Sequence, residues 1–505
     1  MATRNTVSLR EEKTITVGKI DYLLIRNPQP AFLANVVFYG AKPEDGELEP
    51  DALNELRAWK IQDWYYVQRP PFSEVVRGPH VFLHGKAWQP WRVYRDSNAQ
   101  GGIDARVAVP SRCYFNPTKD RPLEGARIAV KDNIDVAGHK STLCNRAWED
   151  LYPPAEKHAA CVQKMIDAGA IIVGKVKLQA MDMPEEPLGC VEFSAPFNPR
   201  GDGHQGPSGS SHASAASVAS YEWLDYSFGS DTNGGDRKPA HHNGCFSIRP
   251  TTRRTDDTGI IGHFESVRSF KILYPLDYLP TSNEAQTSAI HKFINGLEKA
   301  LKVKRTKISL ADQWAKDLPD GDDNADLEEY LKLVGSYPYY HDSYAATEIF
   351  RKGYYDKHGK PPLINRDISK DITTEERDYY WKRSETYQKW LLEKVLANCD
   401  NVFTIMVLPV GVGEPNYRDS VPDPFSPLSG YDSLSISPIT EAPEVTAIVG
   451  QITYESIVTK REEPYPIGVS VIAAPGSDLA LVDLVCWGMK AAGIPMQVKT
   501  GASVY

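Results

Sequence analysis

The sequence predicts an α/β fold. From Gly125 onward, strand-length apolar runs alternate with segments of helical period, and no internal repeat or low-complexity tract competes with that reading. Arg127–Lys131 (RIAVK) reads as a strand. Lys157–Ala168 reads as a helix with Cys161, Val162, Met165 and Ile166 on one face, and Ala170–Gly174 as the next strand, which makes a βαβ rhythm. Ser214–Ala219 is helix-compatible and runs into an apolar stretch. Asn283–Lys302 places Ile290, Phe293, Ile294, Leu297 and Leu301 at helical spacing. Thr373 and Glu376 have the spacing of a capping box that opens a helix through about Leu396. Val402–Val410 is a buried strand, and GVSVIAAPGSD leads into a helix over Leu479–Ala492. Residues 1–115 differ in texture. Their short apolar runs, Val36–Tyr39 and Trp64–Val67, are broken by Pro-Pro and Gly-Pro-His turn signals and read as a small α+β extension. The expected division is 1–115 and 116–505, the second part carrying a helical insertion over roughly 283–400.

Composition narrows the function classes. The chain has 505 residues with 57 Lys+Arg against 66 Asp+Glu, a net charge of −9. A nucleic-acid backbone binder needs a clustered basic face, and none is visible. No stretch approaches the roughly 18 apolar residues of a membrane span, and the N-terminus has no apolar signal core. The seven cysteines are Cys113, Cys144, Cys161, Cys190, Cys245, Cys399 and Cys486. Their odd count and the absence of any CxxC pair argue against a disulfide framework and a structural zinc site. The expectation is a cytoplasmic protein without metal or cofactor that acts on a small molecule, with a homodimer left open.

Three segments hold candidate chemistry. AVKDN puts Lys131 at the end of an apolar strand, where a desolvated lysine serves as a base; the plainer reading is a strand-end lysine that snorkels to water. Gly206–Ser220 is a run of small residues entering an Ala/Ser helix, either a built site or a flexible linker. Gly229–Gly244 contains a Gly-Gly loop whose N–H groups suit an oxyanion, crowded by Asp231, Asp236, Arg237, Lys238, His241 and His242; the plainer reading is a solvated charged loop.

Together these segments resemble the amidase signature family, from about residue 112 to 505. VKDNIDVAGHKST is similar to its catalytic-lysine strand, FNPRGDGHQGPSGSSHASAAS to its Gly/Ser-rich loop, GSDTNGGDRKPAHHNGCFSIRPT to its nucleophile loop, and PIGVSVIAAPGSDLALVDL to its closing strand and helix. LYPPAEKHAA, LPVGVGEPNYRD and VKTGASVY look like a fungal branch with its own N-terminal extension. The resemblance implies a mixed β-sheet covered on both faces by α-helices. It also implies a serine nucleophile that forms an acyl-enzyme with an amide or ester. In that mechanism a neutral lysine takes the proton through a second serine, which follows a cis peptide. By position the lysine is Lys131 and the cis serine Ser211, with Ser210 the alternative if the loop shifts by one. The oxyanion donors would come from Thr232, Asn233, Gly234 and Gly235.

The nucleophile itself is missing. The family's Asp-Thr-Gly-Gly-Ser-x-Arg-x-Pro runs here as Asp231 to Pro239 without a gap, and Gly235 falls at the serine. Asp236 and Lys238 replace apolar residues, His241, His242 and Asn243 replace small ones, and Arg268 stands where an Asp-Thr pair is usual. Ser230, Cys245 and His212 lie close in sequence but away from the matched position. This many differences point to natural divergence more than to a single engineered change. The resulting expectation is an enzyme of secondary metabolism acting on a small carbonyl compound by non-covalent acid/base chemistry. Lys131, Ser211 and Ser210 would be joined by members of a new polar set, Asp236, His212, His241 and His242. The alternatives are an amidase or esterase with a substitute nucleophile or activated water, and an inactive pseudoamidase that binds a small molecule or a protein.

Overall fold

The computed structural model describes residues 115–505 apart from 184–185, 253–268, 320–323, 366–371, 398–401 and 421–427. Of residues 1–114 it describes the backbone of strands β1 to β6: Glu11–Val17, Ile20–Arg26, Val36–Phe38, Trp64–Tyr66, His80–His84 and Arg106–Pro110. The turn signals of that extension, the position near 115 expected as a boundary, Cys113, Cys399 and Arg268 fall outside or at the margin of the described residues.

The chain forms two compact units. The first comprises 1–141, 153–176 and 223–228, so residues 116–141 group with the N-terminal stretch. It contains a parallel sheet of order β8-β7-β9, from Ile171–Val176, Arg127–Lys131 and Tyr226–Phe228. Every residue of β7 is buried, as a strand flanked on both sides and covered by helix requires. Helix α2 (Ala160–Asp167) lays Val162 against Ile128, Val130 and Ile172, the βαβ unit read from the sequence.

The second unit comprises 142–152, 177–222 and 229–505. Its mixed six-stranded sheet has the order β10-β14-β15-β13-β11-β12. These strands are Ser247–Arg249, Glu444–Glu455, Glu462–Ala473, Val402–Pro409, Ser269–Pro275 and Arg305–Ile308. Alternation along the strands feeds two cores. Ile272, Ile405, Val407, Val469 and Val471 face helices α5 (Glu284–Leu301) and α12 (Asp478–Ala492), where Phe293, Leu297, Leu481 and Leu484 complete one core. Leu273, Met406, Leu408 and Ile472 face the other core with Trp314, Tyr330, Tyr387 and Trp390. These aromatics come from α6 (Leu310–Lys316), α7 (Leu327–Leu331) and α10 (Thr374–Trp390). Helices therefore cover both faces, as expected. Asn283 caps α5, and Thr373 and Glu376 form the full capping box of α10. The α-helix ends at Trp390, earlier than Leu396, because Leu391–Val395 continues as a π-helical turn.

Shorter helices complete this unit: α1 (Arg146–Leu151), α3 (His212–Ser220), α4 (Arg237–His242), α8 (Tyr337–Ala346), α9 (Glu348–His358) and α11 (Ile436–Thr440). The buried Arg200 guanidinium donates to the carbonyls of Asn243, Gly244, Lys499, Gly501 and Ser503 and ties residues 499–503 to the turn after α4.

Candidate active site

The nucleophile loop, residues 229–236, is framed by one carboxylate. Asp231 accepts from the backbone N–H of Gly234 (2.8 Å), Asp236 (3.1 Å) and Arg237 (3.1 Å). It also accepts from Arg237 Nε (2.9 Å) and Nη2 (3.0 Å). Arg237 is fully buried and its Nη1 reaches Glu444 on β14. Burial alone would push Asp231 up, but the guanidinium groups of Arg237 and Arg249 overcome it and hold the carboxyl well below the usual range. For Glu444 burial outweighs Arg237 and raises it. A buried guanidinium between two carboxylates makes this loop rigid.

Gly235 sits where this frame points. A Cβ there would lie 3.0 Å from Ser210 Oγ and 2.8 Å from the carbonyl oxygen of Ser230. The place of the missing side chain is therefore beside Ser210, and Ser230, which sequence position set apart, closes on it. The non-proline cis peptide joins Gly209 to Ser210. The first positional assignment, Ser211, is thereby corrected to the earlier alternative, Ser210. Local bonding separates the two serines. Ser211 stands at the N-cap of α3, donates its N–H to Gly235 O (2.8 Å), and exchanges hydrogen bonds with the Ser230 backbone: Oγ to O at 3.0 Å and N–H to Oγ at 3.1 Å. Its hydroxyl is spent on holding the loop. Ser210 Oγ instead donates to Asp182 Oδ1 at 3.1 Å.

Asp182 was not foreseen from the sequence. It follows Met181, and both take left-handed backbone, with φ of 60° and 59°. Its carbonyl accepts from Tyr339 Oη (2.9 Å) on α8, and Ser230 Oγ lies 3.4 Å from its Oδ1. The only cue in the sequence was an acid between two methionines, Met181 and Met183, which are buried against Tyr340 and Phe350.

The other expected residues divide. Lys131 is fully buried at the end of β7 in the first unit; the snorkelling lysine is ruled out. Asp236 is at the site: its Oδ1 and Ser211 Oγ lie 2.4 and 2.8 Å from the place a Gly229 Cβ would take. His212 is fully buried in the first turn of α3. His241 and His242 turn to the sheet. His241 Nδ1 accepts from Gly468 N–H (2.9 Å), and His242 Nδ1 pairs with Tyr465 Oη (3.1 Å). Burial holds His241 well below its ordinary value, and burial with the Lys238 cation pushes His242 down to about 4. Neither hydrogen-bonds to Ser210, Ser211 or Asp182, so their expected place beside Gly235 is corrected: His241 is a buried neutral group and His242 a partly buried one, both turned to the sheet. Burial pushes the Cys245 thiol up to about 11, which leaves it unreactive. Among the oxyanion candidates, the Gly234 N–H is committed to Asp231. Those of Thr232, Asn233 and Gly235 make no hydrogen bond among the described residues. No group of metal-ligating side chains and no helix long and apolar enough to cross a membrane occurs among the described residues.

Residues 111–270 match the family described as Amidase. A glutamyl-tRNA(Gln) amidotransferase subunit from Natronomonas pharaonis is 37% identical over 165 residues, which is 32% of this chain and 37% of that protein. The corresponding protein of Treponema denticola is 33% identical over 150 residues, 29% of this chain and 30% of that one. The match thus spans about a third of these relatives' length. Among solved structures, an amidase superposes with a TM-score of 0.54 at 18% identity, covering 74% of this chain and 86% of the other. A 6-aminohexanoate cyclic dimer hydrolase gives 0.52 at 16% identity, with coverage of 74% and 86%. The helix-covered mixed sheet is the fold of these amidase structures, and over residues 111–270 this chain is similar to the Amidase family.

Proposed function

We propose that this protein is a divergent amidase-signature enzyme that acts on a small carbonyl compound by proton transfer, without an acyl-enzyme. One observation carries the reading. The position aimed at Ser210 is Gly235, and a glycine has nothing to acylate. Loss of a catalytic nucleophile typically costs on the order of 10⁶ in rate. In this reading the framed loop holds the site, the N–H groups of Thr232, Asn233 and Gly235 face a developing oxyanion, and Ser210 serves as a hydroxyl relay. Lys131, by resemblance, is the inherited base. The small-molecule substrate class follows from the same resemblance.

A second reading, hydrolysis through a substitute nucleophile, is favoured by Ser230, whose hydroxyl lies 3.4 Å from Asp182 Oδ1. One experiment separates the two. The wild-type protein is treated with a fluorophosphonate serine-hydrolase probe and with an aryl amide. We expect no labelling and no hydrolysis. Labelling at Ser230 or Ser210, or amide turnover near 1 per second, an ordinary enzyme rate, would replace the first reading with the second.

A further inference from the structure

We propose that the proton path at this site ends on the Asp182 carboxylate, reached through Ser210, and that the substrate is correspondingly a weakly held acid: a C–H flanked by two carbonyls, or an imide N–H. This rests on the acid/base reading above and puts Asp182, in place of Lys131, at the end of the Ser210 relay. Ser210 Oγ lies 3.1 Å from Asp182 Oδ1, and in this pair the hydroxyl donates and the carboxylate accepts. A Ser210 lone pair can then accept from the direction of Gly235, whose Cβ would stand 3.0 Å away. The carboxylate is held in place by its backbone. Met181 and Asp182 hold left-handed backbone, the Met181 N–H is tied to Leu143 O (2.9 Å), the Asp182 N–H to Gln179 O (3.0 Å), and the Asp182 carbonyl to Tyr339. Gln179 in turn donates its N–H to Ser210 O (3.1 Å), so acid and serine are fixed to one another by backbone as well.

The step balances without a co-reactant. A proton leaves the bound molecule for Ser210 Oγ as the Ser210 hydrogen passes to Asp182 Oδ1. The carboxylate becomes a carboxylic acid and the molecule an enolate-like anion facing the loop N–H groups. The proton returns by the same path to a different atom, which is an isomerisation. Base strength decides the substrate class. A carboxylate is a far weaker base than a neutral lysine, and proton transfer is efficient when donor and acceptor are matched. Aspartate acts as the base in enolisation next to a carbonyl when the anion is well stabilised. Asp182 is therefore a positioning residue for Ser210 in acyl chemistry and the terminal acceptor in proton transfer.

Two measurements test this. Neutron diffraction from a deuterium-exchanged crystal of the wild-type protein locates the Ser210 hydroxyl deuterium. It is expected on the line to Asp182 Oδ1; a deuterium directed away from Asp182 overturns the proposal. In the second, Gly235→Ser restores a serine nucleophile, and its labelling by a fluorophosphonate probe is timed. Because the Ser210 hydrogen is committed to a carboxylate, a weak base, labelling is expected to be slow. It should rise at least tenfold in Gly235→Ser/Asp182→Ala, return to the slow rate with Asp182→Glu, and vanish with Lys131→Ala. Equal labelling with and without Asp182 overturns the inference and leaves the acid/base reading standing, whereas labelling of the unmodified wild type overturns that reading instead. The restored side chain needs the Ser230 carbonyl to move from 2.8 Å; should that variant not fold, the neutron result decides alone.

Discussion

The two ends of the nucleophile loop are built to opposite standards. At one end Asp231 takes five hydrogen bonds and pairs with a buried arginine that also holds Glu444. At the other, Gly235 offers no side chain, and the nearest hydroxyl, Ser210, is engaged with Asp182. A loop that had merely decayed would lose its frame first, because the frame costs desolvation of three charges. Here the frame stands and the reactive atom is gone. That contrast is what the proposed function accounts for, with the rigid part aiming N–H groups and hydroxyls at a bound molecule.

Four substitutions or conditions break or sharpen this contrast. The largest effect is expected from Arg237→Ala, which removes the guanidinium that joins Asp231 to Glu444 and leaves only Arg249, 3.7 Å from Asp231. Stability should fall by about 3–5 kcal/mol, read from urea unfolding; a loss below about 1 kcal/mol would mean the frame is ornamental. Next is acid. In the unfolded chain the His242 imidazole takes a proton below about pH 6.5, but in the folded protein not until about 4. Stability from this group is thus full above pH 6.5 and drains as pH falls between the two values, by roughly 3 kcal/mol in all. His242→Asn should flatten that part of the profile; an unchanged slope would place the histidine in water. Third, Gly229→Ala drives a methyl into Asp236 Oδ1 at 2.4 Å and Ser211 Oγ at 2.8 Å. Overpacking of this kind costs about 1–3 kcal/mol, to be read from the same unfolding curves; a neutral result would mean the loop yields. The smallest is Asp182→Asn, an isosteric change at a partly exposed group, expected within about 0.5 kcal/mol of wild type in stability. A large loss there would make Asp182 part of the frame.

Much of this was legible in the sequence. The strand at Arg127–Lys131, the helix capped by Asn283 and the capping box at Thr373 are local features, so sequence spacing alone reveals them. Gly235 was found by counting along an ungapped motif. The rest depended on contacts between distant segments. Asp182 meets Ser210 across 28 positions and follows a methionine in the left-handed region, which a methionine seldom adopts. His241 and His242 looked chemical because they were polar and adjacent. Their partners, Gly468 and Tyr465, are more than 220 residues away, and only the fold shows that the sheet absorbs them. The one-residue slip between Ser211 and Ser210 has the same origin: two neighbouring serines are equivalent until a helix starts on one of them.

The stretch carrying α6 to α10 leaves the sheet after β12 and returns to it at β13, and both of those strands pair in parallel with β11. Strands that run parallel in one sheet are joined only by a crossover, here one that passes over β11, and β12 and β13 pin both of its ends. Lengthening a flexible part of the crossover therefore leaves the strand register alone, and doubling a flexible loop costs only about 0.6 kcal/mol in closure. Yet this cassette supplies Tyr339, whose hydroxyl steadies the Asp182 carbonyl. Variation in that segment can retune the acid beside Ser210 while the loop, the sheet and the frame stay as they are.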